Sequence, residues 1–401
     1  ERANLSELES AYINDPTINN GINKTVEVMM SGGYTLKGSE ESVNAIQDFI
    51  DTIGTKGGNT DWDRLMNLTF KHQCVYGRAF HEIVYNSSKS KILDLDFVDP
   101  KKMDYAKDNA GRIVFNEFNN PVGWTESVPM YDVQSDLKSD RPPKGVYLQP
   151  GYQVFFSNDR IVQYKLYEIG DGFYPVGLVE PIVKTSNWKL TIMEALAEFM
   201  LRTGFPTTIF KVGDLNNNPT LDLLQRTAEE LEKSSYKSKY AVPYYVEPVM
   251  LEPKKLDNIK EYFTQFNDEE VMTLGPRAFV TGSGAESNKA TLNRQEFLYK
   301  LTLKGIINRT TKTIENSVFK RIAEINGLPD VPKIVWGEIN LEELDSKADR
   351  LYKYAQVGLI TPTEDIENVI RKEEGLPDLK AGTPRVNPIQ KQKSSDFGGA
   401  K

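Results

Sequence analysis

Two long helical patterns enclose a stretch that cannot itself be helical, and no other feature limits the possible folds so sharply. The run GLVEPIVKTSNWKLTIMEALAEFMLRTG, residues 177–204, sets Leu190, Met193, Leu196, Ala197 and Met200 or Leu201 on one stripe, and Gly204 ahead of Phe205-Pro206 stops it. About seven turns at ~1.5 Å per residue predict a helix roughly 40 Å long, which is long for an isolated surface element. A second run, KKLDNIKEYFTQFNDEEVMTLG, ends at Gly275 and puts Leu256, Ile259, Phe263, Phe266 and Val271 broadly on one side. Between the two lie a strand pattern, TTIFKVG, an Asn-rich turn, DLNNNP, a helix pattern, TLDLLQRTAEELEKSS, and the strand-like YAVPYYVEPVMLEP. Pro243, Pro248 and Pro253 exclude a long helix or a central strand there and favour edges and turns. The pattern predicts two long helices around a small α/β insert.

A third long helix is predicted over 287–326. Its stripe is Leu298, Leu301, Ile307, Ile314, Val318, Ile322 and Ile325, and Gly327 supplies the stop. Gly305 sits inside it at a cost of ~1 kcal/mol relative to Ala, which points to a bend or a close packing contact. Beyond it, Leu341 to Val357 reads as a helix ended by Gly358, and Thr361 caps another that begins at Pro362. After Pro377 the chain turns polar and rich in Gly, Lys and Ser, a flexible tail.

Residues 1–176 read as mixed α/β. Helices are predicted over 40–53, where Val43, Ile46 and Ile50 fall at helical spacing, and over 61–76, with Asp61 as N-cap. RAFHEIVYN reads as a strand after a break at Gly77. KILDLDFVD, GRIVFNEF, GVYLQP, YQVFFS and RIVQYKLYE follow as short strands. Turn signals such as Asp108-Asn109-Ala110-Gly111 and Asn119-Asn120-Pro121 separate them, which predicts antiparallel hairpins.

With 401 residues the chain is large enough for more than one module, each with its own core. A net charge of -8 argues against an outer surface that clamps nucleic acid, because neutralising phosphates needs exposed Lys and Arg in excess. One cysteine, Cys74, excludes an intramolecular disulfide, and with only two histidines it cannot build a usual structural zinc site; an intracellular origin fits best. No apolar run is long enough to cross a bilayer, and ERANLSELES lacks the form of a signal peptide.

Enzyme chemistry finds little support in the residues. Gly282-Ser283-Gly284 before a helix start resembles an anion site in outline, but a phosphate-cradling loop needs Lys and Ser or Thr directly after its second glycine. Here Lys289 stands five positions after Gly284 and is followed by Ala290. In LDLDFVDP, Asp94 and Asp96 alternate with Leu93, Leu95 and Phe97, so they read as the solvent face of a strand, with Asp99-Pro100 starting a turn rather than ligating metal. His72 and Cys74, two apart on a helix, face different sides, which makes a Cys-His nucleophile the weaker reading for them and His81; partly buried polar residues and a core thiol are the stronger. Between 276 and 312 the charge reverses: Arg277, Lys289, Arg294, Lys300, Lys304, Arg309 and Lys312 face only Glu286 and Glu296. Such a stretch can touch phosphates without reading bases, or be a solvated helix face balanced by a neighbour's acids.

Several segments, taken in order, resemble the portal proteins of tailed double-stranded DNA phages. DWDRLMNLTFKHQCVYGRAFHEIVYN is similar to a helix-then-strand segment built around a Gly-x-Ala-Phe-x-Glu core, here Gly77, Ala79, Phe80 and Glu82. LDFVDP, FYPVGLVEPIV leading into a long helix, FMLRTGFPTTIFKVG at that helix's exit, and YAQVGLITPTEDIENVIRKEEGLP near the C-terminus extend the likeness over most of the chain. The resemblance implies a mixed α+β protomer. Its N-terminal α/β wing would be 1–176, its stem helices 177–204 and 255–275 around a small α/β clip at 205–254, its tunnel loop 276–292, its spine helix 293–327, and a small helical crown with flexible tail 328–401.

The resemblance further implies a homo-oligomeric ring, a dodecamer, at one capsid vertex of the virion, assembled in the host cytoplasm. Double-stranded DNA would pass its channel during packaging and ejection without sequence-specific contact. Arg277, Thr281, Gly282, Ser283, Gly284, Ser287, Asn288, Lys289 and Arg294 are the expected channel-loop residues. Asn216, Asn217, Asn218, Glu229, Lys233, Tyr244 and Tyr245 are expected to dock the terminase large subunit and the head-tail connector, with the major capsid protein as a further partner. No catalysis, cofactor, metal or membrane is implied. Another virion structural or adaptor protein, or an enzyme of phosphate-containing substrates, are the competing readings.

Overall fold

Two helices that the sequence reading passed over open the chain. α1 (Leu5–Asn14) is closed at its start by a capping box in which Asn4 and Glu7 exchange bonds, and α2 (Pro16–Met30) by Asp15, whose carboxylate accepts from the Thr17 amide at 3.0 Å ahead of a proline in the first turn. Ile18, Ile22, Val26 and Met29 form the buried face of α2. The computed structural model describes residues 4–54, 61–86, 88–128, 140–150, 152–170, 172–203, 208–212, 219–233, 239–243, 259–276, 289–337, 339 and 353. The chain divides into two compact units, Glu1–Ile339 and Asn340–Lys401; the elements that follow belong to the first, and the helices expected beyond 340 lie outside the described residues.

The helix expected at 40–53 is α3 (Glu40–Thr52), capped by Ser39, and that at 61–76 is α4 (Trp62–Tyr76), where Asp61 accepts from the Arg64 amide at 2.7 Å. Gly77, left-handed at φ 77°, ends α4 and releases the chain into β2 (Arg78–Tyr85). β1 (Tyr34–Lys37) precedes these and pairs antiparallel with the last strand described, β10 (Lys333–Trp336).

β2 is the central strand of an antiparallel sheet, flanked by β3 (Ile92–Val98) and β7 (Ile161–Lys165). A second antiparallel sheet orders β4 (Met103–Tyr105), β5 (Gly123–Ser127) and β6 (Gln153–Ser157). Phe80, Val98, Tyr105, Trp124, Phe156 and Ile161 join the two sheets in one core, with the rings of Phe80 and Trp124 edge-on at 5.0 Å.

GRIVFNEF and GVYLQP do not form the strands expected of them, whereas β4 and β5 arise where none was expected. Only isolated bridges, Lys107 to Ile113 and Phe115 to Pro121, mark the first segment. The reason is local: Asp108 accepts from the amides of Ala110 and Arg112, and Asn116 from those of Phe118 and Asn120, so side-chain oxygens take backbone donors that a ladder would need.

The first long helix, α5 (Val183–Thr203), has 21 residues, hence about 31 Å rather than about 40 Å. Residues 177–182 turn instead of continuing the helix, because Gly177 is pressed against the end of α4. The insert pairs β8 (Thr208–Val212) and β9 (Lys239–Pro243) in parallel across α6 (Leu221–Lys233), and Pro243 closes its strand. α7 (Ile259–Leu274) returns.

The third long helix is interrupted. α8 (Lys289–Ile314) passes into one π-helical turn, Glu315–Phe319, and resumes as α9 (Lys320–Asn326) before Gly327 at φ 65°. The irregularity thus lies ten residues beyond Gly305, around which a Cβ would meet nothing within 4 Å. At the π turn the Glu315 carboxylate accepts the Ile334 amide of β10 at 2.8 Å, so the widened turn serves the strand packed against it.

Candidate functional site

Segments distant in sequence meet where α4 gives way to β2. A Cβ on Gly177 would stand 2.6 Å from the Val75 carbonyl oxygen, and one on Gly77 2.6 Å from the Val176 carbonyl carbon, so the two backbones cross with no side chain between them. Ala79 and Phe80 are buried without exposure, Arg78 donates to the carbonyls of Pro100 and Met103 at 3.2 Å, and Glu82 is paired with Arg160. Burial raises the Glu82 carboxyl while Arg160 works against it. The short motifs around Gly77, Asp99-Pro100 and Gly177 therefore form one structural joint, and the glycine spacing reports a backbone crossing.

From that joint the long helices leave the core. Val183, Ser186 and Lys189 of α5 are buried, whereas Ile192, Met193 and Met200 are exposed, Met200 by 62%. α7 is buried at Glu270, Val271 and Leu274 and exposed at Tyr262, and α8 buries one face at Leu303, Ile306, Ile307, Thr310 and Ile314 but exposes Phe297, Leu298 and Leu301, each by more than half. Each helix is rooted in the protein by one face near one end, where Trp188 of α5 and Met272 of α7 on the other face are exposed, and carries further large apolar side chains into solvent beyond it.

The root holds a buried charge cluster that sequence reasoning missed. The Lys189 ammonium lies 2.6 Å from Asp15 Oδ2 and 2.5 Å from Glu270 Oε2, with the Asn267 side-chain oxygen at 3.3 Å; Ser186 Oγ donates to Asp15 at 2.8 Å. Burial pushes the Glu270 carboxyl up to about 7, only partly offset by Lys189. Burial also acts to raise Asp15, but the bonds from Lys189 and Ser186 outweigh it and hold that carboxyl low. Asp15 ahead of Pro16 carries a local cap signal that the sequence reading passed over; its partners on α5 and α7 left no local signal.

Of the expected channel-loop residues, Arg277, Thr281, Gly282, Ser283, Gly284, Ser287 and Asn288 lie outside the described residues. Lys289 is the first residue of α8, and Arg294 is exposed on its second turn. Further along, Lys300 pairs with Glu296 at 2.8 Å and Arg309 stacks over the Tyr167 ring at 5.5 Å, while Lys304 and Lys312 are exposed. Of the expected docking residues, Glu229 is exposed on α6 and Lys233 is the last residue of that helix; Asn216, Asn217, Asn218, Tyr244 and Tyr245 lie outside the described residues.

The residues weighed for catalysis are built into the interior. His81 is fully buried, its ring nitrogens bonded to Thr69 Oγ1 at 2.7 Å and to Tyr164 OH at 2.9 Å, and burial pushes its pKa down to about 3. Cys74 is wholly buried, its thiol pushed up to about 12, and His72 packs edge-on against Phe97 at 4.7 Å. Asp94 accepts from the Gly54 amide and Asp99 from that of Lys101, both as turn and loop ties. Among the described residues no group of His, Cys, Asp and Glu could hold a metal ion, and no helix is long and apolar enough to cross a membrane.

Against known proteins, the family model described as the portal protein of Mu bacteriophage matches residues 7–372. No curated protein matches the chain. Among solved structures, the chain is similar to one from the virion of a native gene transfer agent particle, with TM-score 0.55 at 14% identity over 94% of this chain and 95% of that one. It is similar also to a chain from the neck of the empty particle computed with C6 symmetry, TM-score 0.58 at 14% identity over 94% and 95% of the two chains. The neck of the native particle computed with C12 symmetry gives TM-score 0.53 at 14% identity over 93% of each. These likenesses establish the mixed helix-and-sheet fold.

Proposed function

The chain belongs to the family of the portal protein of Mu bacteriophage, and from that premise we propose that it is the protomer of a ring at one capsid vertex, through which double-stranded DNA passes during packaging and ejection. The observation that carries this reading is the uncovered apolar surface on α5, α7 and α8. Met193, Met200, Phe297, Leu298 and Leu301 stand in solvent on helices whose other ends are buried. A single copy gains nothing from that surface, whereas a head-to-tail contact with the next copy covers it, and such a contact closes into a ring by rotation.

In this ring the segment 276–292, whose last four residues open α8, carries the channel loop. Lys289 and Arg294 meet passing phosphates. The net charge of -8 suits transit, since a strongly basic lining would hold DNA rather than let it slide. The insert at 205–254 is the docking element for the terminase large subunit and the head-tail connector, and the major capsid protein surrounds the ring in the virion, assembled in the host cytoplasm. The chain itself is structural; ATP hydrolysis by the purified protein that a single channel-loop substitution abolishes would overturn that part.

Negative-stain electron microscopy with mass determination in solution tests the reading. Rings with a central hole and the mass of about a dodecamer are expected. A stable monomer at high concentration would overturn it. Given rings, Lys289→Ala and Arg294→Ala should lower DNA packaging while leaving assembly intact.

A further inference from the structure

Lys189, Asp15 and Glu270 bring three parts of the chain to one dry point: the turn between α1 and α2, the root of α5, and the last turns of α7. Asp15 and Glu270 are fully buried and Lys189 is 3% exposed. With every group ionised, two carboxylates face one ammonium, leaving a net negative charge where water cannot reach it. Among the described residues Oε1 of Glu270 has no hydrogen-bond donor to favour its ionised form. One proton on the pair removes the excess charge and leaves Lys189 matched by a single carboxylate.

We propose that this cluster is a proton-operated latch, which fastens the N-terminal helix pair to the roots of α5 and α7 while one carboxyl is protonated and loosens when that proton is lost to solvent. The geometry makes the latch a joint rather than a surface ornament. Asp15 caps α2 through the Thr17 amide with the same carboxylate that takes Ser186 and Lys189 of α5, so weakening it frees the start of α2 and the root of α5 together.

The groups facing the site define its pH response. α5 presents Lys189 and the Ser186 hydroxyl; α7 presents Asn267, while its Glu269 turns to Thr185 at 3.2 Å. From the α1–α2 turn comes Asp15. On α8, Tyr299 lies over Gly275 and bonds Thr25, with a phenol that burial pushes up to about 12 and that stays un-ionised here. Glu270 is the group that titrates near neutrality. Its folded pKa is raised above its ordinary value of 4.5, so the native state holds a proton the unfolded chain does not, and stability falls as pH rises from 4.5 through about 7. Asp15 is shifted the other way and stays ionised across that window.

Hydrogen exchange of the full chain at pH 6 and pH 8.5, corrected for the intrinsic rate, tests the latch. Amides of residues 17–22, 183–190 and 266–274 should lose about tenfold in protection at the higher pH, with the sheet amides unchanged, and Glu270→Gln should abolish that loss. Equal protection at both pH values in the wild type, or the same loss in Glu270→Gln, would overturn the proposal. Asp15→Asn, which keeps the capping oxygen but removes the like charge, should move the midpoint of the effect down by about one pH unit. An unmoved midpoint would overturn it even where Glu270→Gln does not fold.

Discussion

Gly177 and Gly77 cross so closely that a Cβ on either would lie 2.7 Å from the backbone nitrogen of the other. Both contacts are with main-chain atoms, which cannot swing aside as a side chain would. Gly77 also needs a left-handed conformation, φ 77°, that costs an alanine about 1–2 kcal/mol. With the overpacking term added, Gly77→Ala and Gly177→Ala should each destabilise the protein by roughly 2–4 kcal/mol. Urea unfolding followed by circular dichroism measures this, and losses below about 0.5 kcal/mol would show that the crossing can relax.

How far the fold was legible follows from how local its causes are. The Asp61 cap, the Gly77 stop and the proline-punctuated insert act on neighbouring residues, and each was readable from spacing. α1 was missed because its capping box uses Asn4 in place of the usual Ser or Thr; the turn at Asp108 was read, but the strand expected over 111–118 fails because Asn116 closes a second turn inside it. The Asp15–Lys189–Glu270 cluster joins residues separated by 174 and 81 positions, so no window of sequence contains it. For the site, the stripes on the long helices were visible as patterns. That their far halves stand uncovered is a tertiary fact.

Removing the ammonium from the buried cluster leaves two carboxyls without their cation. Lys189→Met keeps the volume of the stem and should cost about 3–5 kcal/mol at pH 7.5, the usual penalty for stranding a buried charge. Glu270→Gln added to it should return part of that loss, because the stranded negative charge is then smaller. Denaturant midpoints of the two single variants and the double variant measure the coupling. Simple additivity would mean that the groups do not act on one another.

The exposed apolar ends of the long helices separate folding from assembly. Met193→Glu and Leu301→Glu replace side chains half in solvent, so the stability of a single copy should change by no more than about 0.5 kcal/mol. Assembly should fail, since each change puts an unpaired charge into the contact between copies. Thermal unfolding and light scattering on the same samples distinguish the effects. Rings of normal mass from both variants would place the contact elsewhere.

Among the described residues, acid acts through groups of opposite sign: buried His81 and half-buried His72, whose pKa burial pushes down to about 3 and about 4, against Glu270. His81 is neutral, fully buried and bonded through both ring nitrogens, with its pKa pushed from 6.5 down to about 3. Between those values the unfolded chain binds a proton that the native state refuses, so stability falls as pH drops, by about 2 kcal/mol from pH 7 to pH 5. Glu270 works in the other direction over the same window, because its native carboxyl keeps a proton that the unfolded one releases. The wild type should therefore lose less stability between pH 7 and pH 5 than the two histidines alone would cost it. Glu270→Gln, which lacks the compensating group, should lose about 2 kcal/mol more than the wild type over that range and expose the acid sensitivity of the two histidines. A flat profile in Glu270→Gln would mean that His81, between Thr69 and Tyr164, and His72 can take up their protons without leaving their places.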